Sequence, residues 1–218
     1  LYSRSFDPVK YPEVFPLLIK LAPHATWNIG HTIFNFQMLF RFGKVNEGNR
    51  QEIFPLVERL APPLKTDIAL VVNDLRSLSR SRAVDRKNRG LIYSEFEKTI
   101  LLIAGQEKIR KSDALLEWEY FTQSPAFTRE NWQKVFEAYQ AYLNMVQSYH
   151  DKKAWKMFHA LGSVLFEGVH VSPENFSDMM GDLTEEVKKF ADHPEEDVLI
   201  FSHQFLEQFF HLNGYLFD

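Results

Sequence analysis

Apolar side chains recur along this chain at intervals of three and four residues. The two-residue alternation of strands is nearly absent, so almost every segment reads as helix. The C-terminal segment from Pro194 is the most loaded. At helical spacing Val198, Phe201, Phe205, Phe209 and Leu212 form one stripe. Leu199, Leu206 and Phe210 form a second, roughly 100° further round. The first long helix, 25–42, does the same with Trp27, Ile29, Ile33, Phe34, Phe36, Met38, Leu39, Phe40 and Phe42. A helix apolar on most of its circumference is either buried inside one fold or shared between two chains.

Residues 1–23 contain Pro8, Pro12, Pro16 and Pro23, which predicts an extended proline-rich arm with at most a short helical piece. The remainder, 24–218, reads as one all-helical domain. Its second helix spans roughly 49–60, with Pro55 kinking it or marking a late start. Pro62-Pro63 is read as the opening of the third, since proline suits a first turn. Leu64, Ile68, Val71, Leu75 and Leu78 form that helix's core face. Residues 79–90 break the apolar pattern and read as a loop. Ser94 and Glu97 have capping-box spacing and predict the start of a fourth helix, running to about 106. Further helices are expected over about 111–122, 128–149 and 151–166, from Ser172, and from Asp192 to about 213. No composition shift divides the chain, and no fixed-period repeat is present. The fold class is therefore all-α, a single helical-bundle domain of about nine helices.

Composition narrows the function. A length of 218 residues suffices for a sizeable core, and twenty Phe make aromatic packing its main source of cohesion. A net charge of −4 argues against nucleic-acid binding by the domain as a whole, though not against a local basic patch. Zero Cys excludes a disulfide framework and fits a reducing compartment. No apolar run is long enough for a transmembrane helix. The start, Leu1-Tyr-Ser-Arg-Ser, lacks Met and any signal-peptide pattern, and reads as an excised domain.

Catalytic constellations are missing. No His-x-x-x-His or His-Glu-x-x-His pair occurs, and Glu167 to His170 is a single Glu-x-x-His where a di-iron bundle needs two. Glu117 and Glu119 fall on different helix faces. His31 and His203 sit among aromatics and read as core or interface histidines. Neither a phosphate-binding glycine loop nor a nucleophile elbow is present. No catalytic residue, metal or cofactor is expected, and the chain reads as a non-enzyme.

One charge cluster stands apart. Arg76, Arg80, Arg82, Arg86, Lys87 and Arg89 lie within fourteen residues and are opposed by Asp85 alone. Such a segment suits phosphates or an acidic partner; the plainer reading is a solvated, mobile loop. Ser77, Ser79 and Ser81 lie beside these arginines, where phosphorylation would invert the local charge.

The run from Phe40 to Phe54, the helix ending at Leu75-Arg-Ser-Leu-Ser-Arg80, the loop and the Ser94–Glu97 box together resemble the telomere repeat-binding factor homology (TRFH) domain. Val171 to Met180, Val187 to Phe190, and the acidic Pro194 to Asp197 before an apolar helix resemble that family's last two helices. The resemblance covers about 30–218 and rests on pattern rather than a strict motif. It implies a homodimer built from the first and last helices, the two that the apolar pattern singles out independently. It also implies docking of telomere-associated proteins in the nucleus, with DNA read by a separate Myb-type domain. The expected dimer-interface residues are Trp27, Phe34, Leu199, Phe201, Phe205 and Phe209; the expected docking residues are Arg76, Arg80, Arg82 and Arg86. Arg80 matches the family's arginine at the end of helix three. The family's docking Phe has no counterpart between Ala83 and Tyr93, for which Tyr93 is a loose substitute. The competing expectations are a monomeric helical adaptor unrelated to telomeres and a helical small-molecule binder.

Overall fold

The structure, a computed structural model, describes residues 12, 14–25, 29–42, 45, 46, 48–64, 68–108, 110–123, 127–148, 178–182, 184 and 185. Among them are seven helices and no strand: α1 (Val14–Leu21), α2 (Ile29–Phe42), α3 (Arg50–Leu64), α4 (Ile68–Arg80), α5 (Arg89–Ala104), α6 (Lys111–Gln123) and α7 (Trp132–Gln147). The chain is all-α, with seven helices described where nine are expected over the whole. The helices expected over 151–166 and from Asp192 lie outside the described residues. Within the one expected from Ser172, residues 178–182 are helical and bury Met179 and Met180. The chain divides into two compact units, Leu1–Gly105 and Gln106–Asp218.

In the first unit, α2 packs chiefly on α4, while α1 and α5 pack on α3. The proline-rich arm thus contributes a docked helix, with Val14, Leu17 and Leu21 buried and Lys20 paired to Glu58 at 2.6 Å. Asn35 Nδ2 donates to the Ala69 carbonyl at 2.6 Å, linking α2 to the first turn of α4. The expected core face of α4 is buried at Ile68, Val71, Leu75 and Leu78.

Two boundaries differ from the sequence expectation. Pro62-Pro63 does not open a helix; α3 continues through both to Leu64. Ala61 and Leu64 are buried there, and holding that apolar face outweighs the two backbone donors that proline removes near a helix end. Likewise, α5 starts at Arg89 rather than Ser94. Ile92 and Tyr93 are buried in its first turns, so tertiary packing extends the helix upstream of the capping box.

The second unit is cemented by rings. Trp118 on α6 lies 4.7 Å from Phe136 and 5.4 Å from Tyr139, both on α7. Phe127 and Trp132 meet Phe136 edge-on at 6.1 and 6.0 Å. The Tyr139 hydroxyl donates to the buried Ala114 carbonyl at 2.7 Å, so the polar tip of the ring is satisfied. Lys108 Nζ donates to the Gln147 carbonyl at 2.8 Å, placing a cation on the negative end of α7.

Candidate functional site

The turn between α4 and α5 is tightly built. Ser81 Oγ accepts from the Ala83 amide at 3.2 Å. Asp85 Oδ1 accepts from the amides of Lys87 at 2.7 Å and Asn88 at 3.1 Å. Asn88 Oδ1 accepts from the Asp85 amide at 2.8 Å, and Asn88 Nδ2 donates to the Ala83 carbonyl at 2.7 Å. Ala83 is fully buried. These are the local side-chain-to-backbone bonds that Ser, Asp and Asn supply in turns. The segment expected as a loop over 79–90 is a turn over 81–88 closed by these bonds, with the end of α4 before it and the start of α5 after it. Asn88 occupies the N-cap position of α5 without capping it, since its side chain faces back into the turn.

This scaffold displays Arg80, Arg82, Arg86 and Lys87, all exposed, with Arg76 half-buried one helical turn before Arg80. The four expected docking arginines are therefore brought to one end of α4 and its following turn. Arg89 leaves the cluster. Its Nε and Nη2 form a fork on Glu52 at 3.0 and 2.6 Å, and Nη2 also reaches the Gly48 carbonyl at 2.9 Å. That carboxylate holds the Arg89 guanidinium pKa above its ordinary value, mainly through the hydrogen bonds.

Tyr93 does not serve as an exposed docking aromatic. Its side chain is only 4% exposed, and its hydroxyl lies 3.0 Å from Ser79 Oγ in the core between α4 and α5. Burial pushes the phenol upward, with the Ser79 hydrogen bond opposing. The same contact removes Ser79 from the set of accessible phosphorylation sites, because its hydroxyl is covered. Tyr93 anchors the helices on which the arginines stand.

Of the expected interface residues, Phe34 alone lies among the described ones, 52% exposed on α2. Two residues on, Phe36 is fully buried, as is Leu39. Trp27, Leu199, Phe201, Phe205 and Phe209 lie outside the described residues. His31, expected among aromatics as a core or interface residue, is exposed on α2.

A second feature escapes sequence reasoning. An open groove of about 340 Å³ lies between α3 and α5, lined by Pro55, Leu56 and Tyr93 with Gln51, Ser94 and Gly90. Three charged residues also line it, Glu52, Arg59 and Glu97, and each is paired across the two helices. Besides the Arg89 fork, Arg59 Nε and Nη2 meet Glu97 Oε1 and Oε2 at 2.6 and 2.8 Å. Glu97, read from sequence as a capping partner of Ser94, reaches α3 instead. A Cβ at Gly90 would meet nothing within 4 Å, so the missing side chain leaves that edge of the groove open.

The Arg59 hydrogen bonds hold the Glu97 carboxyl below the usual carboxylate range. A folded-state pKa below the unfolded one stabilises above the ordinary carboxylate value, and that contribution is lost as pH falls through the depressed value. Glu97→Gln is therefore expected to flatten the acid limb of the stability profile. Thermal melts of both proteins between about pH 3 and 6 measure it.

Among the described residues no cluster of three or more His, Asp or Glu side chains could hold a metal ion. No helix among them is long and apolar enough to cross a membrane. Comparison with known protein families, characterised proteins and solved structures returns no match.

Proposed function

We propose that this chain is a non-enzymatic dimerisation and protein-docking domain of a telomeric double-stranded-DNA-binding protein, acting in the nucleus as a scaffold for telomere-protection factors. One observation carries the reading furthest. Phe34 is half in solvent on the helix that the TRFH resemblance places at the dimer interface, while Phe36 and Leu39 of the same helix are sealed in the core. A singly exposed apolar side chain is ordinary on a monomer, as at Ile19 and Leu91, so Phe34 supports the dimer only through its place on the helix that the resemblance puts at the interface.

Light scattering after size exclusion is expected to return twice the chain mass at micromolar concentration. Phe34→Glu is expected to return the single-chain mass with an unchanged helical circular dichroism spectrum. A monomeric wild type would remove the dimer and leave a helical adaptor. The full burial of Phe36 and Leu39 within one chain favours that second reading, since part of the aromatic load of α2 is used without a partner.

A further inference from the structure

We infer that the α4–α5 turn binds the phosphodiester backbone of double-stranded nucleic acid without regard to base sequence. This surface belongs to the chain itself, in addition to any DNA-reading domain elsewhere, and it stands whether or not the telomeric reading does. Between 80 and 87 the outward side chains are Arg80, Arg82, Arg86 and Lys87, while Ala83 is buried and Val84 half-buried. Among the described residues none of those three arginines has an acidic partner. Arg59 and Arg89, by contrast, are each paired to a carboxylate across α3 and α5. The one acid in the turn, Asp85, directs Oδ1 to the amides of Lys87 and Asn88.

Three properties favour a polyanion over a peptide. The exposed positions are cationic with no exposed apolar side chain among them, whereas peptide docking draws its affinity from an apolar or aromatic anchor. Arginine dominates, and its planar fork matches the oxygens of a phosphodiester. The backbone beneath is held by five side-chain hydrogen bonds, so the guanidinium stems start from fixed positions and little backbone order remains to be lost on binding. Arg80 also sits in the last turn of α4, where a cation is tolerated well by the helix dipole. A net charge of −4 over the whole chain keeps the affinity modest and confines contact to this end.

The test is fluorescence anisotropy of a labelled random-sequence duplex titrated with the 218-residue chain at several salt concentrations. Wild type is expected to bind at low salt, with log K falling linearly against log salt. The triple variant Arg80→Ala, Arg82→Ala, Arg86→Ala is expected to weaken binding at least tenfold. It should also lower the slope by about 0.9 for each arginine that meets a phosphate. Circular dichroism should be unchanged, because all three side chains are exposed. Lys replacements at the same positions should retain most of the slope. Absent binding by wild type at low salt would overturn the inference, as would a triple variant with wild-type affinity and slope. Competition by a polyglutamate peptide as effective as that of unlabelled duplex at equal charge would also overturn it, in favour of an acidic protein partner.

Discussion

Trp118→Ala is expected to destabilise the second unit by about 3–5 kcal/mol, the range for removing a large buried aromatic. Trp118 is fully buried, and its ring is the point where Phe136 and Tyr139 of α7 meet α6. Removing it leaves a cavity bounded by rigid rings, which cannot collapse into the space as flexible aliphatic chains do. Ordinary domains have only about 5–15 kcal/mol in total, so the loss is a large share of the unit's stability. Urea unfolding followed by far-ultraviolet circular dichroism measures it without relying on the indole that the mutation removes. Glu137→Ala, exposed on α7, should stay within about 0.5 kcal/mol of wild type. A Trp118 variant equally mild would mean that the ring cluster is not what joins α6 to α7.

Phe36→Glu is expected to unfold the first unit outright. Phe36 has no solvent exposure, and a carboxylate there would be buried without a partner, at a cost of several kcal/mol even after protonation. The position is two residues from Phe34, where the same substitution is expected to leave the fold intact. Running the two variants side by side separates a core position from a surface position on one helix. Loss of the helical signal in Phe36→Glu with retention in Phe34→Glu is the expected pair. If both unfold, Phe34 contributes to the unit's own stability, and the mass of the wild-type protein in solution alone decides the dimer.

Helix type was legible wherever a long apolar stripe had one dominant neighbour. Leu64, Ile68, Val71, Leu75 and Leu78 read as one core face; the last four form it on α4, while Leu64 is buried at the end of α3. The boundaries failed where tertiary contacts overrode local signals. Pro62-Pro63 has the chemistry of a helix start, yet the buried Ala61 and Leu64 carry α3 through it. Ser94 and Glu97 have the spacing of a cap, yet Glu97 is drawn to Arg59, thirty-eight positions away in sequence. The arginine cluster was visible as composition, but its membership was not. Only the position of Glu52 on a neighbouring helix separates Arg89 from Arg86, and no local pattern carries that information. The order of the turn was partly legible, since Ser81, Asp85 and Asn88 are residues that bond to nearby backbone.

The two forks between α3 and α5 have opposite polarity. Near the start of both helices, α3 supplies the acid, Glu52, and α5 the base, Arg89. About two turns further along, α3 supplies the base, Arg59, and α5 the acid, Glu97. The helices therefore run side by side in the same direction. If α5 were laid down the opposite way, Arg89 would face Arg59 and Glu97 would face Glu52. Both crossings would then be repulsive. The pairs thus act as a two-character orientation code, rejecting the reversed arrangement even though each contributes little to stability near the surface. Exchanging the residues of one fork should leave the native arrangement intact, with a pair of the same composition. Exchanging Arg59 for Glu alone should place two acids together and weaken the α3–α5 contact from that end.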